Sequence, residues 1–81
     1  MRTNKLVIIG KVITYNYRDG YLTAKIKNGV DYYNVNFKYR IDEDKISDVI
    51  EHITKEKTVF RGYLSDHDDG KRFTINITSY N

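Results

Sequence analysis

The side chains of this 81-residue chain with chemistry to offer are basic, aromatic and amide groups crowded into one region. Between Arg18 and Arg40 lie Tyr21, Lys25, Lys27, Tyr32, Asn34, Asn36 and Lys38, with Tyr15 and Tyr17 just before them and Lys71 and Arg72 far downstream. The acidic residues gather elsewhere, in Asp42–Glu51 and Asp66–Asp69. Fourteen Lys and Arg against eleven Asp and Glu give a net charge of only +3, so the segregation of charge says more than its sum. A basic, tyrosine-rich face set against an acidic one fits a polyanion whose planar groups can lie on aromatic rings. Eight Tyr and three Phe, with no Trp, supply the rings, and part of that set must fill the core of so small a protein.

Other chemistries lack their residues. With no cysteine there is neither a disulfide nor a thiolate metal site, which fits a reducing compartment. The only histidines are His52 and His67. Asp66-His67-Asp68-Asp69-Gly70 has the look of a metal loop, but it lacks the downstream bidentate glutamate of an EF-hand calcium loop and reads as an acidic hairpin. There is no nucleophile motif and no phosphate-cradling glycine loop, so no catalytic residue, cofactor or metal is expected and the chain is not read as an enzyme. No run is long and apolar enough for a membrane span, and no cleavable leader is recognisable, so a cytoplasmic protein is expected.

The elements that must position the basic and aromatic residues follow from periodicity. Asn4–Ile13 reads as one long strand with Gly10 in its middle. Its apolar residues fall on both parities (Leu6, Val7, Ile8, Ile9, Val12, Ile13), which predicts cover on both faces. A strand bent at a central glycine can pair with two neighbours and close a small barrel. Asp19-Gly20 and Asn28-Gly29 are hairpin signals. Between them Tyr21–Lys27 turns Leu22, Ala24 and Ile26 inward and Tyr21, Thr23, Lys25 and Lys27 outward. Asp31–Arg40 puts Tyr33, Val35, Phe37 and Tyr39 on one parity and Tyr32, Asn34, Asn36 and Lys38 on the other, with Arg40 following on.

The period then changes. Ile46, Val49, Ile50 and Ile53 form one stripe of a helix over Asp42–Lys55, with Asp42 at its start and His52 on the outer side. Thr58–Leu64 and a strand with Phe73, Ile75 and Ile77 inward and Thr74, Asn76, Thr78 and Tyr80 outward complete the chain. The order β-β-β-α-β-β within a single domain, residues 1–81, describes an all-β, five-stranded Greek-key OB-fold barrel with one helix between strands three and four.

Three stretches resemble the bacterial single-stranded DNA-binding proteins. Asn4-Lys5-Leu6-Val7-Ile8-Ile9-Gly10-Lys11-Val12 resembles that family's opening strand, and Asp31-Tyr32-Tyr33-Asn34-Val35 its third. Val59-Phe60-Arg61-Gly62-Tyr63-Leu64, followed by Asp69-Gly70, resembles its fourth strand and hairpin. The family stacks bases on tryptophans, whereas this chain would have to use tyrosine. It also lacks the family's acidic C-terminal tail, so the resemblance implies a minimal form, as in phage or mobile-element replication.

The expected function is binding of single-stranded DNA without sequence preference during replication. The barrel's groove lies across strands two and three, between the first and last hairpin loops. There the site would comprise Tyr15, Tyr17, Arg18, Tyr21, Lys25, Lys27, Tyr32, Asn34, Asn36, Lys38, Arg40, Lys71 and Arg72, with His67 nearby. Several of these have a structural reading as well. Tyr32 can be a cross-strand packing partner, Tyr15 and Tyr17 can close the barrel end, and Tyr33, Phe37 and Tyr39 belong to the core. A homo-oligomer, dimer or tetramer, is expected, with Val7 and Ile9 as its seam. Helicase or primase is a further possible partner. The alternatives are an OB-fold module that binds a replication protein and an OB domain that binds RNA.

Overall fold

The computed structural model describes residues 3–55, 57–66 and 73–81. The chain forms β1 (Thr3–Arg18), β2 (Tyr21–Asn28), β3 (Asp31–Phe37), α1 (Glu43–Ile53), β4 (Thr58–Asp66) and β5 (Phe73–Tyr80). The strands close into a barrel in the order β1-β2-β3-β5-β4. Closure is made by β5, which runs parallel to β3 (Val35 opposite Ile75, Phe37 opposite Ile77) and antiparallel to β4. This is the expected OB-fold.

The first strand is longer than its apolar run predicts, because it continues through Tyr15-Asn16-Tyr17-Arg18 up to the turn. Its two halves serve different neighbours. Thr3 to Gly10 pair with β4, and Lys11 to Arg18 pair with β2. The change of partner falls at Gly10 because a Cβ there would lie 2.2 Å from the Lys27 carbonyl oxygen, so only glycine lets β2 approach. The irregularity itself comes three residues later. Val12 faces Ile26 and Thr14 faces Lys25, which leaves Ile13 as an extra residue. Such a bulge reverses the parity of everything beyond it. Ile8 and Val12 are buried before the bulge, and Tyr17 points inward after it. The expectation that β1 is covered on both faces is not met: Val7, Ile9 and Ile13 stand 58%, 51% and 41% exposed.

The first hairpin turns on Asp19-Gly20, both at positive φ, as Asp-Gly predicts. The second turns one residue later than expected. Asn28 pairs with Asp31, so the loop is Gly29-Val30, with Gly29 alone at positive φ. That is the pattern of a II′ turn, and it leaves Val30 at the tip, 89% exposed.

The interior is filled by Leu22, Ala24 and Ile26 of β2, Val35 and Phe37 of β3, Phe60 of β4 and Ile77 of β5. Phe37 meets Phe60 edge to face at 6.2 Å. The helix adds Val49 and Ile53, with Ile46 and Ile50 half-buried beside them. Asp42 occupies the N-cap position, but its side chain makes no capping hydrogen bond; its carbonyl accepts from the Lys45 and Ile46 amides. His52 is not on the open side of the helix as expected. Its ring packs 5.1 Å from that of Tyr80, and its carbonyl accepts from the buried Thr58 hydroxyl.

Tyr80 reaches that position through a second bulge. Arg61 faces Ser79 while Gly62 faces Ile77, so Thr78 is the extra residue and Tyr80 comes to lie opposite Phe60, on the inner side. Strict alternation along β5 would have pointed it outward.

Tyr39, past the end of β3, packs edge to face on Phe37 at 6.0 Å. Burial, and secondarily the negative charge of a deprotonated Tyr80, push its phenol pKa from 10.0 up to about 12. An acid whose folded pKa is raised keeps its contribution to stability below the unfolded pKa and loses it as pH rises through the folded one. Wild-type stability should therefore fall between about pH 10 and pH 12, and Tyr39→Phe should fall less over that window. Urea denaturation at pH 8, 10 and 11.5 would show it; parallel losses in the two proteins would count against the assignment.

Candidate nucleic-acid interface

Cross-strand register arranges the outward side chains of β1, β2 and β3 in rows. Near the second hairpin, Lys11 lies opposite Lys27 and Lys27 opposite Tyr32. The next row is Thr14–Lys25–Asn34, and the one after it Asn16–Thr23–Asn36. The first hairpin ends with Arg18 opposite Tyr21. Two lysines held directly opposite each other on one face repel, and a bound anion between them removes that penalty. Lys11 was not singled out in the sequence because it sits inside the apolar opening strand, between Gly10 and Val12. Only the pairing of the second half of β1 with β2 sets it against Lys27.

A cleft of about 460 Å³ opens over the two lower rows. Thr14, Asn16, Thr23, Lys25, Asn34 and Asn36 line it from the outward side. Tyr15 and Phe73 line it as well, together with Ala24, Val35 and Ile75. Tyr15, Ala24, Val35 and Ile75 are successive partners across four strands, all of inward parity. Phe73 continues that parity two residues before Ile75. Tyr15 and Phe73 are nevertheless 51% and 59% exposed. Phe73 opens β5 and lies past Ile75 at the barrel's end, whereas Tyr15 stands in solvent although its row partners Ala24 and Val35 are buried. Periodicity placed Phe73 in the core. It reports which way a side chain points but not where the barrel ends.

The expected site residues thus separate. Tyr15, Lys25, Asn34 and Asn36 come together in the cleft. Lys27 and Tyr32 flank it on the row shared with Lys11, where Tyr32 is 56% exposed. Tyr21 is 53% exposed, at the hairpin end and outside the cleft lining. Arg18 is there too, its Nε 3.9 Å from the Asp19 carboxylate, with both side chains in solvent. Such a pair contributes little.

Tyr17 cannot serve as a stacking platform. It packs against the core, and its hydroxyl donates to the Ile41 carbonyl. Arg40 does not extend the β3 row, because the strand ends at Phe37. Its side chain instead lies over the first turn, where a Cβ on Gly20 would come within 3.0 Å of its guanidinium, while the Ile41 amide donates to the Gly20 carbonyl at 2.7 Å. Lys38 leaves the groove and lines a second cleft. Lys71, Arg72 and His67 lie outside the described residues.

Among the described residues the Arg18–Asp19 contact is the one ion pair formed. Lys11, Lys25, Lys27 and Lys38 therefore have no carboxylate partner there. The acidic side chains Glu43, Asp44, Asp48 and Glu51 are exposed on α1, away from the cleft lining. The arrangement is a shallow positive surface, uncompensated among the described residues, with two exposed rings and three asparagine amides along its lining. It can hold an extended anion that carries flat groups.

These features define the class: an OB-fold barrel with a basic and aromatic groove across β2 and β3. No protein-family model matches the chain, and no curated protein sequence does. Solved structures do. A crystal structure of Rim1, the mitochondrial single-stranded DNA-binding protein of S. cerevisiae, matches over 100% of this chain and 95% of its own, with a TM-score of 0.65 at 18% identity. A second crystal structure of Rim1 gives 0.63 at the same identity and coverage. At that identity the likeness establishes the shared fold. No helix of the chain, among the described residues, is long and apolar enough to cross a membrane.

Proposed function

We propose that this protein binds single-stranded DNA without sequence preference, in the groove across β2 and β3. The observation that carries the reading is the set of cations with no carboxylate partner among the described residues, Lys11, Lys25 and Lys27, beside the exposed rings of Tyr15, Tyr32 and Phe73. Lysines attract phosphates without reading bases. Rings stack on any base for about 1–3 kcal/mol each, so the pair of devices is tolerant of sequence. The fold shared with Rim1, a single-stranded DNA-binding protein by name, supports it. The role that follows is holding single strands during replication. The exposed stripe Val7, Ile9 and Ile13 on β1 favours self-association, because such apolar residues are seldom left in water as a group.

The test is a titration of intrinsic tyrosine fluorescence with oligo-dT at two salt concentrations. Binding should saturate, quench the signal and weaken with salt. Neutralising three phosphates predicts a slope of log K against log salt of about −2. Lys25→Ala should make that slope shallower by about 0.7. A folded protein that shows no quenching at low salt would remove this reading. It would leave the groove as a protein-docking surface, whose affinity should scarcely respond to salt.

A further inference from the structure

We infer that the polynucleotide path does not end at β3 but continues over β5 and β4 to Lys5 and Arg61, in a second cleft on the other side of the barrel. The inference rests on the DNA-binding reading above. Register carries it. Thr23 lies opposite Asn36, Asn36 opposite Asn76, Asn76 opposite Tyr63, and Tyr63 opposite Lys5, so one row of outward parity crosses all five strands of the barrel, with Asn76 buried at its centre. From Thr23 to Lys5 that row takes four interstrand steps, about 19 Å along the sheet. Thr74 lines both clefts, which therefore adjoin at β5.

The second cleft gathers more cations than the first, which holds Lys25 alone. It measures about 1020 Å³, and Lys5, Lys38 and Arg61 line it with the half-buried ring of Tyr63. No acidic residue is among its lining, and none of its cations has a carboxylate partner among the described residues. Lys38 stands where the two faces meet, since it follows β3 directly and its amide donates to the Ile77 carbonyl of β5 at 2.9 Å. The apolar stripe of β1 touches this cleft only at Val7; Ile9 and Ile13 lie outside it. A second copy laid over the cleft by a two-fold axis would set these cations against themselves with no carboxylate to answer them. A chain of phosphates compensates all three, which favours the polynucleotide as the occupant.

The experiment compares wild type with Lys5→Gln/Arg61→Gln on dT oligomers of two lengths, about 5 and about 16 nucleotides, at several salt concentrations. The short oligomer fills the groove alone and reports the function reading. The double variant should lose about tenfold in affinity for the long oligomer and keep its affinity for the short one within about twofold. Its salt slope on the long oligomer should drop by about 1.4, the share of two phosphates. Retained short-oligomer binding also shows that the variant barrel is folded. Equal affinities of wild type and variant for the long oligomer overturn the extension and leave the groove intact. Equal losses on both lengths overturn it too, because the two cations would then act on the groove. A change in molecular mass by sedimentation, without a length-dependent loss, assigns the cleft to contact between copies. If no dT oligomer of either length binds the wild type, the function reading itself fails.

Discussion

Gly62→Ala should be the most damaging single-methyl change in this protein, lowering stability by about 3 kcal/mol or more. A Cβ at Gly62 would lie 1.7 Å from the Asn76 carbonyl oxygen and 2.8 Å from its carbonyl carbon. Both are backbone atoms of the paired strand, so no rotamer change can clear them; β4 and β5 must move apart. That separation falls at the Thr78 bulge, which sets Tyr80 opposite Phe60. It also strains the buried Asn76, whose amide donates to Ser65 Oγ at 3.0 Å and to the Thr74 carbonyl at 3.3 Å. Small domains have only about 5–15 kcal/mol in total, and each kcal/mol moves the melting temperature of one this size by about 4–8 °C. A drop of about 12 °C or more is therefore expected in a thermal melt.

Gly10→Ala should follow closely, since its Cβ would lie 2.2 Å from the Lys27 carbonyl oxygen. Gly29→Ala is the control. Its surroundings are open to 4 Å, and only its φ of +62° is unfavourable, which costs about 1–2 kcal/mol. If Gly62→Ala proved as mild as Gly29→Ala, the close approach of β5 to β4 would be wrong.

The largest effect on binding is expected from Phe73→Ala and Tyr15→Ala, each weakening oligo-dT affinity roughly 5- to 150-fold, the equivalent of one lost stack. Both rings line the groove and are more than half exposed, so their removal leaves the interior filled. Tyr21 separates geometry from mere exposure. It is as exposed as Tyr15 but outside the cleft, and Tyr21→Ala should stay within about twofold of wild type. Equal losses at all three positions would mean that exposure alone, anywhere on this face, determines stacking. No loss at Phe73 and Tyr15 would mean that the DNA is held by charge alone.

Much of the fold was legible because it rests on local signals. The Asp19-Gly20 turn, the alternation Leu22–Ala24–Ile26 and the helical stripe Ile46–Val49–Ile50–Ile53 depend on residues within one turn or one strand, and each stands where periodicity places it. The errors share a cause. Tyr80 and Phe73 were put on the wrong side of the outcome, one by a single extra residue at Thr78 and the other by the end of the barrel. Neither a bulge nor a rim has a sequence period. Tyr17 and Arg40 were assigned to the groove from their neighbours in the chain, but they are held by each other's segments through Ile41 and Gly20, twenty or more residues apart.

What the sequence determined by itself is the class of barrel, the inward sets of β2 and β3, the glycine at which β1 changes partner, and the separation of basic from acidic segments. Those follow from side-chain size, periodicity and charge, which act over a few residues. The tertiary structure alone decided which cations face one another and which rings stay in water. Lys11 meets Lys27, and Lys5 joins Asn76 through Tyr63, because the register between strands is set by two bulges and two glycine contacts. A one-residue shift at any of them would send those side chains to the opposite face.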